Sequence, residues 1–107
     1  VAAGSKLSLL SAMAEAIKAS KMRWRYVEET ERPLTIPEIF YLATVGGGSF
    51  FGKVGTFEEG YAFDAVVMDD SRLADETMSL YERLERLIYM PEESRIIAKY
   101  VEGKNIL

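Results

Sequence analysis

The sequence predicts an α+β domain, with helices gathered in the first half and a small β unit after it. Three observations carry that prediction. Apolar residues recur at helical spacing in the first fifty positions. Two Ser/Thr-x-x-Glu stretches mark helix starts at Thr35 and Ser79. Short apolar runs bounded by Gly, Asp and Asn follow Lys53, which is the pattern of strands and turns.

The first helix is expected over Lys6 to Met22. Leu7, Leu10, Met13, Ala14 and Ile17 form its apolar face, and Ser5 or Ser8 is placed to cap it. Ala12, Ala14, Ala16 and Ala19 favour helix and imply close packing against a larger element. Lys18, Lys21, Arg23 and Arg25 crowd its far end, where positive charge complements the helix dipole. A charged connector, Glu28 to Arg32, leads to Pro33. Thr35-Ile36-Pro37-Glu38 then combines a capping box with proline in the first turn. Ile36, Ile39, Phe40, Ala43 and Val45 are expected on the buried face, and Gly46-Gly47-Gly48 is expected to stop the helix.

Thr56 to Gly60 reads as a turn. Ala62 to Asp69 holds the apolar run Ala65-Val66-Val67-Met68 of a well-covered strand. Ser79-Leu80-Tyr81-Glu82 opens a helix with Leu80, Leu84, Leu87 and Ile88 on one face and a Glu82–Arg86 pair one turn apart. Pro91 breaks it. Arg95 to Val101 is a strand, and Glu102 to Asn105 a turn into Ile106-Leu107.

Composition narrows the function. The 107 residues carry 49% apolar and 28% charged residues, which suits one globular domain. No apolar run reaches the roughly 18 residues of a membrane helix, and the start lacks the pattern of a signal peptide. The absence of cysteine fits a cytoplasmic location. A net charge of −4 disfavours general nucleic-acid binding. The chain also has no histidine, the commonest general base near neutral pH and the commonest transition-metal ligand. It opens on Val1-Ala2-Ala3-Gly4 without methionine, and a processed, cut or partial chain is the expectation.

Four constellations of charged, aromatic or glycine residues stand out. Lys18 to Tyr26 interleaves basic and aromatic residues, as single-strand binders do. A helix C-terminus with Trp24 packed inward explains it better. Gly46 to Ser49 lies after a helix, not between strand and helix, and Lys53 is off the spacing of a phosphate loop. Asp69-Asp70 and Asp75-Glu76 lack calcium-loop spacing and read as a solvated acidic loop. Glu58-Glu59 sits in a turn beside Gly60 and reads as exposed rather than as an acid–base pair.

The order of the pieces nevertheless resembles a known family. Leu34 to Gly47 is similar to the helix that follows the barrel in amidohydrolase-superfamily deaminases. Val54 to Val67, with Phe63-Asp64 closing a G-x-x-x-G-x-x-A-D-like turn, resembles their re-entry into a small β-sandwich. Tyr100 to Lys104 resembles their closing hairpin. Leu80 to Tyr89 with Arg95 to Val101 looks most like guanine deaminases. The resemblance covers essentially the whole chain.

It implies a TIM-like (β/α)8 barrel with a β-sandwich built from both chain ends. Residues 1–53 would be the last barrel helices, and 54–107 the C-terminal sandwich segment with an inserted helix. It also implies zinc or a similar divalent ion that acidifies a bound water, guanine deamination to xanthine within purine catabolism, and a homodimer. The family's metal ligands are an H-x-H pair, two further histidines and an aspartate. No catalytic residue or metal ligand carries over to this chain, and the aspartate would immediately precede Val1. Val1, Ala2, Ala3, Gly4 and Ser5 would border the active-site mouth, at the C-terminal side of the barrel. The chain alone is expected to be inactive, to need the N-terminal remainder of its barrel, and to bind neither nucleic acid nor membrane. Another amidohydrolase, such as a triazine chlorohydrolase or a different nucleobase deaminase, and a non-catalytic interaction module are the alternatives.

Overall fold

The computed structural model describes residues 8–107. Helix α1 runs over Leu9–Tyr26, capped by Ser8, whose Oγ accepts from the Ser11 amide at 3.4 Å. It extends four residues beyond the predicted end, because no helix breaker intervenes before Val27. Met13, Ala14 and Ile17 are buried, as their spacing required. Lys6 and Leu7 lie outside the described residues.

Helix α2, Ile36–Tyr41, starts where the sequence said it would. Thr35 Oγ1 accepts from the Glu38 amide at 3.4 Å, and Glu38 Oε1 accepts from the Thr35 amide at 3.0 Å. The glycines after it do not act as the expected stop. The chain widens into one π-turn over Leu42–Gly46, and Gly47 and Gly48 keep helical φ of −69° and −67°. Thr44 Oγ1 donates to the Phe40 carbonyl at 2.8 Å, supporting the widened turn. A 3₁₀ turn over Ser49–Phe51 follows, and only Gly52, at φ 110°, leaves helical geometry. Ile36 and Ile39 are buried, whereas Phe40 is exposed.

Strand β1 spans Ala65–Asp69, α3 spans Leu80–Tyr89, β2 spans Arg95–Val101 and β3 is Lys104–Asn105. The strands form an antiparallel sheet in the order β1-β2-β3. Val67 faces Ala98 while Met68 faces Ile96, so Ile97 is the extra residue of a bulge in β2. Glu102 and Gly103, with φ of 50° and 80°, make the mirror-image turn that suits a two-residue hairpin. The turn is held from outside: the Glu102 amide donates to Asp64 Oδ1 at 2.9 Å, and the Gly103 amide to the Phe63 carbonyl at 2.8 Å. The sequence placed β2 to the residue, but read Lys104 and Asn105 as turn.

The core is helical. Met13, Ala14, Ile17, Ile36, Ile39 and Ile88 form one buried cluster, flanked by Leu10, Ala16, Leu34, Ala43, Leu84 and Tyr89. All come from α1, α2, α3 and the segments adjoining α2. The sheet contributes nothing to that cluster, and β1 is not the well-covered strand its composition predicts. Successive strand residues point to opposite faces. Val66 is 54% exposed and its neighbour Val67 42%, so both faces of β1 are open. Ile97 and Val101 on β2 are exposed as well. Phe57 and Phe63, ahead of β1, and Tyr100 on β2 pack in a row, with a tilted pair at 5.5 Å and an edge-to-face pair at 5.6 Å between centroids.

On α3, Ile88 is fully buried, Leu84 and Leu87 are half-buried, and Leu80 is exposed. Leu80 is the first helical residue and stays outside the core cluster, so periodicity overstated the buried face. Ser79 Oγ accepts from the Glu82 amide at 3.2 Å, giving one half of the capping box. The Glu82–Arg86 pair does not form. Arg86 Nη1 instead donates to the Leu73 carbonyl at 2.7 Å, pinning the loop that holds the buried Leu73.

Candidate functional site

Each candidate constellation occupies a defined place. Val1, Ala2, Ala3, Gly4 and Ser5, expected at the border of a substrate site, lie outside the described residues.

The basic-aromatic stretch ends α1. Arg23 approaches Glu28 at 3.8 Å and Glu31 at 3.6 Å, and Arg25 approaches Glu29 at 3.9 Å. Arg32 grips Glu38 with two contacts of 2.6 and 3.0 Å. A shallow cleft lies among Ser20, Arg23, Trp24, Glu28, Glu31, Arg32 and Leu34. Its arginines face carboxylates, so the cleft offers no uncompensated positive charge to a phosphate. Trp24 is exposed rather than packed inward, and it lines this cleft instead of joining the core cluster. Ser20 Oγ, which donates to the Ile17 carbonyl at 2.7 Å, also receives the Leu34 amide at 3.0 Å. This hydroxyl fastens the connector to α1.

The Arg32 contact, with help from Thr35, holds the Glu38 carboxyl well below the usual carboxylate range, at about 2. A carboxylate whose pKa falls on folding stabilises the fold above its unfolded value, about 4.3. That contribution disappears as pH drops from there through the folded value. Acid unfolding of the Glu38→Gln variant is therefore expected to lack this loss. The gap in unfolding midpoint between the parent and variant should narrow steadily from pH 5 to pH 2, and a gap constant over that range would contradict the assignment.

The acidic residues are occupied by local structure. Asp69 Oδ1 accepts from the Ser71 amide at 2.9 Å, and Asp75 Oδ1 from the Thr77 amide at 2.9 Å. Asp70 is clamped by Arg83 through Nε and Nη2, both at 2.8 Å. Each of the three carboxyls is held below its ordinary pKa, Asp69 and Asp75 chiefly by bonds from Ser71 and Thr77, and Asp70 chiefly by Arg83. Glu58 and Glu59 are exposed in their turn. Among the described residues no group of three or more His, Cys, Asp or Glu side chains is placed to hold a metal ion. With neither imidazole nor thiolate in the chain, this donor set does not fit a zinc centre.

Sequence reasoning missed two contacts that shape this region. The Asp70–Arg83 clamp joins residues thirteen apart and has no local signature. Gly55, at φ +94°, lies so close to the π-turn that a Cβ there would meet the Thr44 carbonyl oxygen at 2.5 Å. An isolated glycine in an extended stretch was its only signal. No helix among the described residues is long and apolar enough to cross a membrane.

Comparison with known proteins places the chain in a family. The amidohydrolase family profile matches residues 1–106. The chain is 29% identical to the guanine deaminase of Mus musculus and 28% identical to that of Homo sapiens, in each case over 100% of its own length and 26% of theirs. Among solved structures, it resembles a guanine deaminase from C. acetobutylicum with guanine bound in the active site. The TM-score is 0.90 at 47% identity, covering 100% of this chain and 26% of that one. E. coli guanine deaminase is also similar, with a TM-score of 0.76 at 27% identity, over 97% of this chain and 24% of the other. The chain thus spans about a quarter of the length of the relatives it matches. With a profile match across nearly its whole length and a shared fold, the chain belongs to the amidohydrolase family.

Proposed function

We propose that this chain is the scaffold-bearing C-terminal portion of a zinc-dependent guanine deaminase, which converts guanine and water to xanthine and ammonia. The observation that carries the reading is the match, along the whole chain, to a guanine deaminase solved with guanine in its active site. The metal and the proton-transferring groups belong, in this reading, to the remainder of the barrel, since the donor set here does not fit zinc. The role of these residues is mechanical. Residues 1–53 complete the helical wall of the barrel, residues 54–107 enter the sandwich, and α3 ties the two by packing on α1 and α2.

The sheet supports a partner of this kind. Natural sheets blunt the edges they leave in solvent. β3 is only two residues long and polar, with a lysine, and so is a blunted edge. β1 is longer, apolar but for its last residue, Asp69, and free of proline and lysine, and the bulge lies in β2 rather than in β1. The N-terminal remainder of the same protein is the proposed cover for β1 and for the open faces beside it.

Two measurements test this. The whole gene product, supplied with zinc, is expected to release ammonia from guanine and form xanthine, whereas the 107 residues alone give no turnover with or without zinc. Zinc-dependent turnover by the isolated chain would overturn the scaffold role. A folded, metal-loaded whole protein that hydrolyses a triazine or another nucleobase but leaves guanine intact would overturn the substrate. The isolated chain is further expected to bind a dye that reports exposed apolar surface, and the whole protein to bind far less. A dye-silent, monomeric, cooperatively unfolding isolated chain would contradict the need for a covering partner.

A further inference from the structure

We draw no further inference here: the strongest candidate, the exposed edge-to-face pair Phe50–Phe51 on the 3₁₀ turn after the widened helix, is an unpartnered apolar patch and nothing in the structure shows what covers it.

Discussion

Replacing Gly55 by alanine is expected to destabilise the fold by about 3 kcal/mol or more. Two costs add. At φ +94° an L-residue pays about 1–2 kcal/mol for the left-handed backbone. The new methyl would then lie 2.5 Å from the Thr44 carbonyl oxygen, 2.6 Å from its carbon and 2.8 Å from the Val45 nitrogen. These are backbone atoms of the π-turn, so no side chain can swing aside. Relief requires either the segment around Gly55 or the Leu42–Gly46 turn to move. Gly60 is the control, because it has a similar φ of +87° but open space where a Cβ would stand. Gly60→Ala should cost only the backbone part, about 1–2 kcal/mol. Urea unfolding followed by circular dichroism measures both. Equal losses for the two variants would mean that the close approach of Gly55 to Thr44 contributes nothing.

The second large effect is expected at Ile88. Its side chain is 0% exposed and sits in the cluster shared by α1, α2 and α3. Truncation to alanine removes three carbons from the junction of three helices and leaves a cavity they can only partly close. The expected cost is about 2–5 kcal/mol. Leu80 stands on the same helix and on the apolar face that periodicity assigns to it, yet it is 81% exposed. Leu80→Ala in the isolated chain should therefore fall within about 0.5 kcal/mol of the parent. A comparable loss at both positions would mean that α3 buries the whole of its apolar stripe, Leu80 included. In the whole protein, a larger effect of Leu80→Ala would instead report a covering partner, in line with the proposed assembly.

The elements whose determinants are local were readable in the amino-acid sequence. Thr35 with Glu38, Ser79 with the Glu82 amide and Ser8 with the Ser11 amide start their helices through bonds spanning three residues. β2 and the Glu102-Gly103 turn are likewise set by short-range pattern and by backbone freedom at glycine. The lack of histidine and cysteine was equally plain, and it excluded a zinc centre of the usual ligands before any fold was known. The resemblance to amidohydrolase deaminases rested on the order of whole segments and agrees with the family match.

What only the tertiary structure decided involves residues far apart in the chain. Periodicity says which side chains share a helix face, but the width of that face in contact depends on where the neighbouring helices end. Leu80, Phe40 and Trp24 lie outside the buried cluster and are exposed. Gly46 to Gly48 look like a stop because glycine permits one. Helical geometry persists through them because the π-turn is braced by Thr44 within and by Gly55 from outside. Arg83 and Arg86 find Asp70 and the Leu73 carbonyl only after the loop folds back on α3. The openness of β1 on both faces is likewise a tertiary fact. Burial is a property of what packs against a strand, and the composition of Ala65–Asp69 specifies the apolar surface without specifying its cover.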